Sequence, residues 1–134
     1  MKLAALLLLV GAALVSASDQ DFSIADFTKS PTEHIINQVD EPFVVQSIRG
    51  LITSDSVRGP LQGVLFEVQG PDSERTIRAS VSDKNGRFNI KHVPYGSYHF
   101  KATMNGWQSV IGTIIVSKKA DKSSMIKVDM HVGV

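Results

Sequence analysis

From Val44 to the C-terminus, hydrophobic and polar residues alternate with a period of two, the spacing of strands with one buried face. Val44, Gln46, Ile48, Gly50 and Ile52 fall on one face of a first strand. Val64, Phe66 and Val68 alternate with Leu65 and Glu67, and the run Thr76 to Val81 sets Ile77 and Ala79 against Arg78 and Ser80. Phe88 and Ile90 follow at strand spacing. Tyr98, Phe100 and Ala102 then face one way, with His99, Lys101 and Thr103 facing the other, outward. Val110 to Val116 is almost continuously apolar, as in a central strand or one covered on both faces. Ile126, Val128 and Met130 alternate with Lys127, Asp129 and His131.

Turn residues separate these runs: Gly59-Pro60-Leu61-Gln62-Gly63, Gly70-Pro71-Asp72-Ser73, Asp83-Lys84-Asn85-Gly86, Val93-Pro94-Tyr95-Gly96 and Asn105-Gly106. Asn85-Gly86 suits a tight hairpin with positive φ at both central residues. Short strands at this regular spacing predict an all-β sandwich or barrel of seven strands.

The segment before Val44 reads differently. Met1-Lys2 and the apolar run Leu3 to Val15 have the form of a secretory signal, with small residues allowing cleavage after Ala17 or Ser18. The run is shorter than the roughly 20 residues a membrane-spanning helix needs. Residues 18–43 carry scattered hydrophobics, among them Phe22, Ile24, Phe27, Ile35 and Ile36. Ser30-Pro31-Thr32-Glu33 has the form of a capping box. It predicts either a short helix over Pro31–Gln38 or, alternatively, an extended arm lying on the sandwich. The expected organisation is a signal peptide at 1–17, an arm at 18–43 and a sandwich at 44–134, in an exported protein placed outside the cytoplasm.

Composition narrows the function classes. The chain of 134 residues has 14 basic and 13 acidic side chains, and losing Lys2 with the leader leaves 13 of each. No basic surplus is left to drive counterion release from nucleic acid. There is no cysteine, which removes disulfides, zinc–thiolate sites and thiol nucleophiles.

The turn and strand residues, in order, resemble the carboxypeptidase regulatory-like domain. The matching segments are Ile48-Arg49-Gly50, Gly59-Pro60-Leu61-Gln62-Gly63-Val64, Asp83-Lys84-Asn85-Gly86-Arg87-Phe88, Pro94-Tyr95-Gly96-Ser97-Tyr98 and Gly106-Trp107. The resemblance implies a seven-stranded Greek-key sandwich of the prealbumin-like type over about residues 45–131. In its parent enzymes that domain accompanies a zinc peptidase domain. The chain has no room for one, and none of His34, His92, His99 or His131 begins a His-x-x-Glu pair.

Candidate chemistry is sparse. A zinc site needs four convergent ligands, and the histidines are explained as surface residues. Asp83 and Asn85 offer too few oxygens for calcium and suit an Asx turn. No Gly-x-Ser-x-Gly elbow is present. The expectation is therefore a non-catalytic module with no cofactor and no metal, structural or protein-binding in role. The alternative is carbohydrate binding through exposed Trp107 and Tyr95, so that the partner is a protein or a surface glycan.

Overall fold

The computed structural model describes residues 24–56, 58–71 and 75–133. The signal sequence and both expected cleavage positions lie outside the described residues. Among those described, no helix is long and apolar enough to cross a membrane. The strands are β1 (Ile36–Gln38), β2 (Phe43–Val45), β3 (Ile48–Ser54), β4 (Gly59–Pro60), β5 (Leu65–Gln69), β6 (Ile77–Val81), β7 (Arg87–Ile90), β8 (Gly96–Thr103), β9 (Ser109–Val116) and β10 (Ile126–Met130). The seven expected runs are all present. β1, β2 and β4 are short additions to them.

The strands form two sheets. The larger has the order β1-β9-β8-β5-β6, with β2 also on β9, and the smaller has the order β10-β3-β4, with β7 also on β3. The continuously apolar β9 is central, between β8 and the pair β1 and β2. Between the sheets, the Phe66 ring stacks on Phe88 at 4.1 Å and on Phe100 at 5.1 Å. Phe100 has no exposure and lies opposite Gly112 on β9, where an added Cβ would come within 2.6 Å of its ring. Glycine is what lets that ring lie flat against the neighbouring strand. Each of these buried side chains contributes roughly 1.5–3 kcal/mol through removal from water.

The arm is extended over residues 36–38, and no helix forms over Pro31–Gln38. The capping interactions nevertheless exist: the Ser30 hydroxyl accepts from the Thr32 amide, and the Ser30 amide hydrogen-bonds the Glu33 carboxylate. They close a single turn, with the Glu33 amide on the Ser30 carbonyl. The chain then leaves that turn to pair with β9, because bonds from the Ser109 amide to the Ile35 carbonyl and from the Val39 amide to the Ile111 carbonyl compete with helix propagation.

The arm's course changes the environment of the larger sheet's outer face. Thr28 donates its amide and hydroxyl to the Glu67 carboxylate on β5 at 2.9 and 3.0 Å. Glu33 reaches Lys101 on β8, and Thr32 accepts from the Gly106 amide in the β8–β9 turn. Phe27, on the arm itself, is buried. Lys101, Thr103 and Glu67 point outward as their alternation requires, yet all three are buried; the arm covers Lys101 and Glu67 through Glu33 and Thr28.

Two further expectations are corrected. Val44 and Gln46 do not share a face with Ile48: Val44 is 50% exposed while Val45 and Ile48 are buried. The chain crosses from the larger sheet to the smaller between Val45 and Ile48, and the crossing shifts the alternation by one residue. The Asp83–Gly86 segment is not a tight hairpin. Only Gly86 has positive φ, at 76°, and the strands on either side, β6 and β7, belong to different sheets. The Gly86 amide closes a four-residue turn on the Asp83 carbonyl, making a corner between sheets.

Candidate functional site

The distribution of charge separates the two sheets. On the larger sheet and in the turns, carboxylates hold the scaffold together. Glu67 accepts from Thr28, and Glu33 accepts from the Ser109 hydroxyl and from Lys101. Burial pushes the Glu33 carboxyl up, but hydrogen bonds from Ser109 and Lys101, the Lys101 charge and the Ser30 amide together hold it below its ordinary value. The Asp83 carboxylate accepts from the Arg87 and Asn85 amides, which hold its pKa down. Asp121 is held down in the same way by the Ser123 amide and hydroxyl. Every fully buried side-chain nitrogen or oxygen among the described residues has a partner.

The smaller sheet's outer face has the opposite character. Arg49, Leu51 and Thr53 on β3, Arg87 and Asn89 on β7, and Lys127 and Asp129 on β10 share it, as the alternating burial of each strand shows, so that three cations stand with one carboxylate. Lys127 and Arg87 both pair with Leu51, one from each side, and Arg49 pairs with Asn89. Directly opposed side chains stand about 5 Å apart at Cβ and diagonal ones about 7–8 Å. The three cations therefore ring Leu51. A groove of about 420 Å³ runs beside them, lined by Arg49, Val81, Asp83, Arg87, Phe88 and Met125 among others.

The aromatics expected to form a binding platform are not brought together. Tyr95 is 64% exposed and precedes β8, whereas Trp107 follows it and is half-buried against the core. The eight residues of β8 between them span about 25 Å. The Trp107 amide closes a turn on the Met104 carbonyl, and Trp107 bridges to Val132. Of the histidines, His34 and His92 are exposed, and His99 is half-buried on β8. His131 meets Asp55 through Nδ1, with Asp129 alongside; the three ligand atoms lie within 4.8 Å of one another. All three residues are exposed, and Asp129 also accepts from the Thr53 hydroxyl. Asp129 and His131 were legible as neighbours on one strand face; Asp55, 76 residues from His131, was not.

Comparison with known proteins places this geometry in a family. Residues 43–132 match the family described as BOS complex subunit NOMO1-like, second beta sandwich domain. The chain belongs to that family of β-sandwich domains. The match begins with β2 and takes in both sheets except β1. No curated protein matches the chain. Among solved structures, 3-chlorocatechol 1,2-dioxygenase from Rhodococcus opacus 1CP is similar at 11% identity and a TM-score of 0.46, covering 79% of this chain and 69% of that one. Catechol 1,2-dioxygenase from Pseudomonas arvilla C-1 is similar at 11% identity and a TM-score of 0.48, covering 78% and 60%. A proposed carbohydrate-binding protein from Pseudomonas aeruginosa is similar at 20% identity and a TM-score of 0.36, covering 83% and 97%.

Proposed function

We propose that the chain is an exported, non-catalytic module that acts through contacts with another protein. The observation that carries this reading is the match over residues 43–132 to a sandwich domain described as part of a complex subunit. The motif resemblance to carboxypeptidase regulatory-like domains agrees with a module of this kind and brings no peptidase chemistry with it. The buried polar groups support the reading too. Glu33, Lys101, Ser109 and Glu67 are bonded to one another or to the arm and hold the architecture. A protein partner is favoured over a glycan because Trp107 and Tyr95 stand at opposite ends of β8 and form no continuous aromatic platform.

Site-specific photocrosslinking of the mature protein in its native exported fraction tests this reading. Photoreactive residues at Val44 and Tyr95 sample two exposed surfaces, and Val81 and Lys127 sample a third, the outer face of the smaller sheet and the groove beside it. The expected result is a discrete protein adduct from one of these surfaces. Adducts that are removed by glycosidase treatment, or none from any position, contradict it.

A further inference from the structure

We propose that the cationic face of the smaller sheet and the groove beside it bind an extended acidic segment of the partner protein, with carboxylates on Arg49, Arg87 and Lys127. This rests on the protein-contact reading above and names the chemistry of the partner. The ion pairs among the described residues are Arg75–Asp26, Lys101–Glu33 and His131–Asp55, all elsewhere. Arg49, Arg87 and Lys127 thus have no carboxylate within 4.0 Å among those residues. Arg49 donates once, through Nη2 to the Lys122 carbonyl, which leaves most of its guanidinium fork available. Two acids share this surface. Asp83 lines the groove, where it accepts two amides and the Arg87 charge helps to lower its pKa. Asp129 lies outward on β10 and accepts from Thr53, so the three cations exceed the acids by one.

The shape of the surface points to an extended peptide. The groove lies between the end of β6, at Ser80 and Val81, and β7, and the ladder partner of β6 among the described residues is β5 alone. In an antiparallel ladder every second residue directs its amide and carbonyl away from its partner. Ser82 bonds toward Val64, so the alternation turns those of Val81 and Ala79 to the edge beside β7. β7 meets that edge through the Asp83 amide on the Arg87 carbonyl and the Asn89 amide on Ser80 Oγ, but with no ladder bond at Val81 or Ala79. A strand laid there gains backbone hydrogen bonds, and alternate side chains reach the arginines. Guanidinium groups suit this role because their paired donors match a carboxylate. Three cations around an apolar residue fall short of the four to eight that mark a lipid-binding cluster.

Amide shifts of the isotopically labelled mature protein, followed during titration with two synthetic peptides, test the proposal. One peptide alternates Glu with Thr; the other carries Lys in place of every Glu. The expected result is shifts at Arg49, Arg87 and Val81 with the acidic peptide alone, weakening as salt rises. Arg49→Gln with Arg87→Gln should weaken binding about tenfold or more, and Lys29→Gln on the arm should leave it unchanged. The Lys-containing peptide needs no variant, so the comparison stands even if the double variant unfolds. No shift, equal shifts with both peptides, or the same shifts with inorganic phosphate overturn the proposal. Binding to phosphatidylserine vesicles without a response to the peptide overturns it in favour of a membrane surface. If crosslinking finds a partner on another surface while the peptide fails, this inference alone falls.

Discussion

Glu33 on the arm and Lys101 on the middle strand of the larger sheet form an ion pair at 2.9 Å, with side chains only 6% and 2% exposed. The pair joins residues that the alternation alone would leave facing water. It ties the arm to the sheet and, through the Ser109 hydroxyl, to β9 as well.

Removing one partner leaves the other charge buried and unpaired. Lys101→Met is expected to destabilise the domain by about 3–5 kcal/mol. Adding Glu33→Leu should recover part of that loss, since the buried pair is exchanged for apolar residues while the buried Ser109 hydroxyl loses its acceptor. Urea denaturation of the two single variants and the double variant measures the coupling. Equal destabilisation by additive amounts would show that the two side chains do not interact.

The pair also makes a prediction for acid. The folded-state pKa of Glu33 is held below its ordinary value of 4.5. The unfolded chain therefore binds the proton first, so the contribution is fully present above about 4.5 and is lost as pH falls through the lower folded value. Asp83 and Asp121 shift in the same direction in exposed turns. Thermal melts between neutral pH and strongly acidic buffer should show stability falling below the ordinary carboxylate range. Glu33→Gln should make that fall shallower. An unchanged acid slope in this variant contradicts the assignment.

Core and turn positions rank by what each side chain meets. Phe100→Ala should cost about 3–5 kcal/mol, from lost transfer energy and the cavity beside Phe66. Gly86→Val should also be strongly destabilising, since φ is +76° there and a Cβ would stand 2.5 Å from the Ile52 carbonyl oxygen. His99→Ala is expected to cost less than either, because His99 is half-buried on the outer face. Chemical denaturation gives the order, and a His99→Ala loss as large as that of Phe100→Ala would contradict the register of β8.

Gly112 and Phe100 should be coupled. Gly112→Ala overpacks the aromatic ring across the ladder and should cost about 1–3 kcal/mol. In a Phe100→Leu background the same change should cost less. The difference between the two backgrounds, measured by the same denaturant melts, reads the contact directly; identical costs would refute it.

These particulars show what the sequence could carry. The strands were legible because each has one face against a common core, and that requirement writes itself into the period of two. The faces of β8 were legible as well: Phe100 points in and Lys101 points out. What covers an outward face was not, because Glu33 lies 68 residues away and no local pattern joins the two positions. The Val44–Gln46 alternation misled for a related reason, since period two holds only while a chain stays in one sheet. Asn85-Gly86 signalled a turn correctly but could not say that its flanking strands part into different sheets. The cationic face was unreadable in the same way. Arg49, Arg87 and Lys127 are scattered in sequence and meet only through the ladder of the smaller sheet.

The central claim is that the arm lies across the larger sheet and seals its outer face. Lysine acetylation under native conditions, followed site by site with mass spectrometry, tests it most directly. Lys101 should be the slowest of the described lysines to react, far behind the exposed Lys84 and Lys127, and should match them only once the chain is unfolded. If Lys101 in the folded protein reacts as fast as Lys127, the outer face is open to water and the account of the arm is wrong.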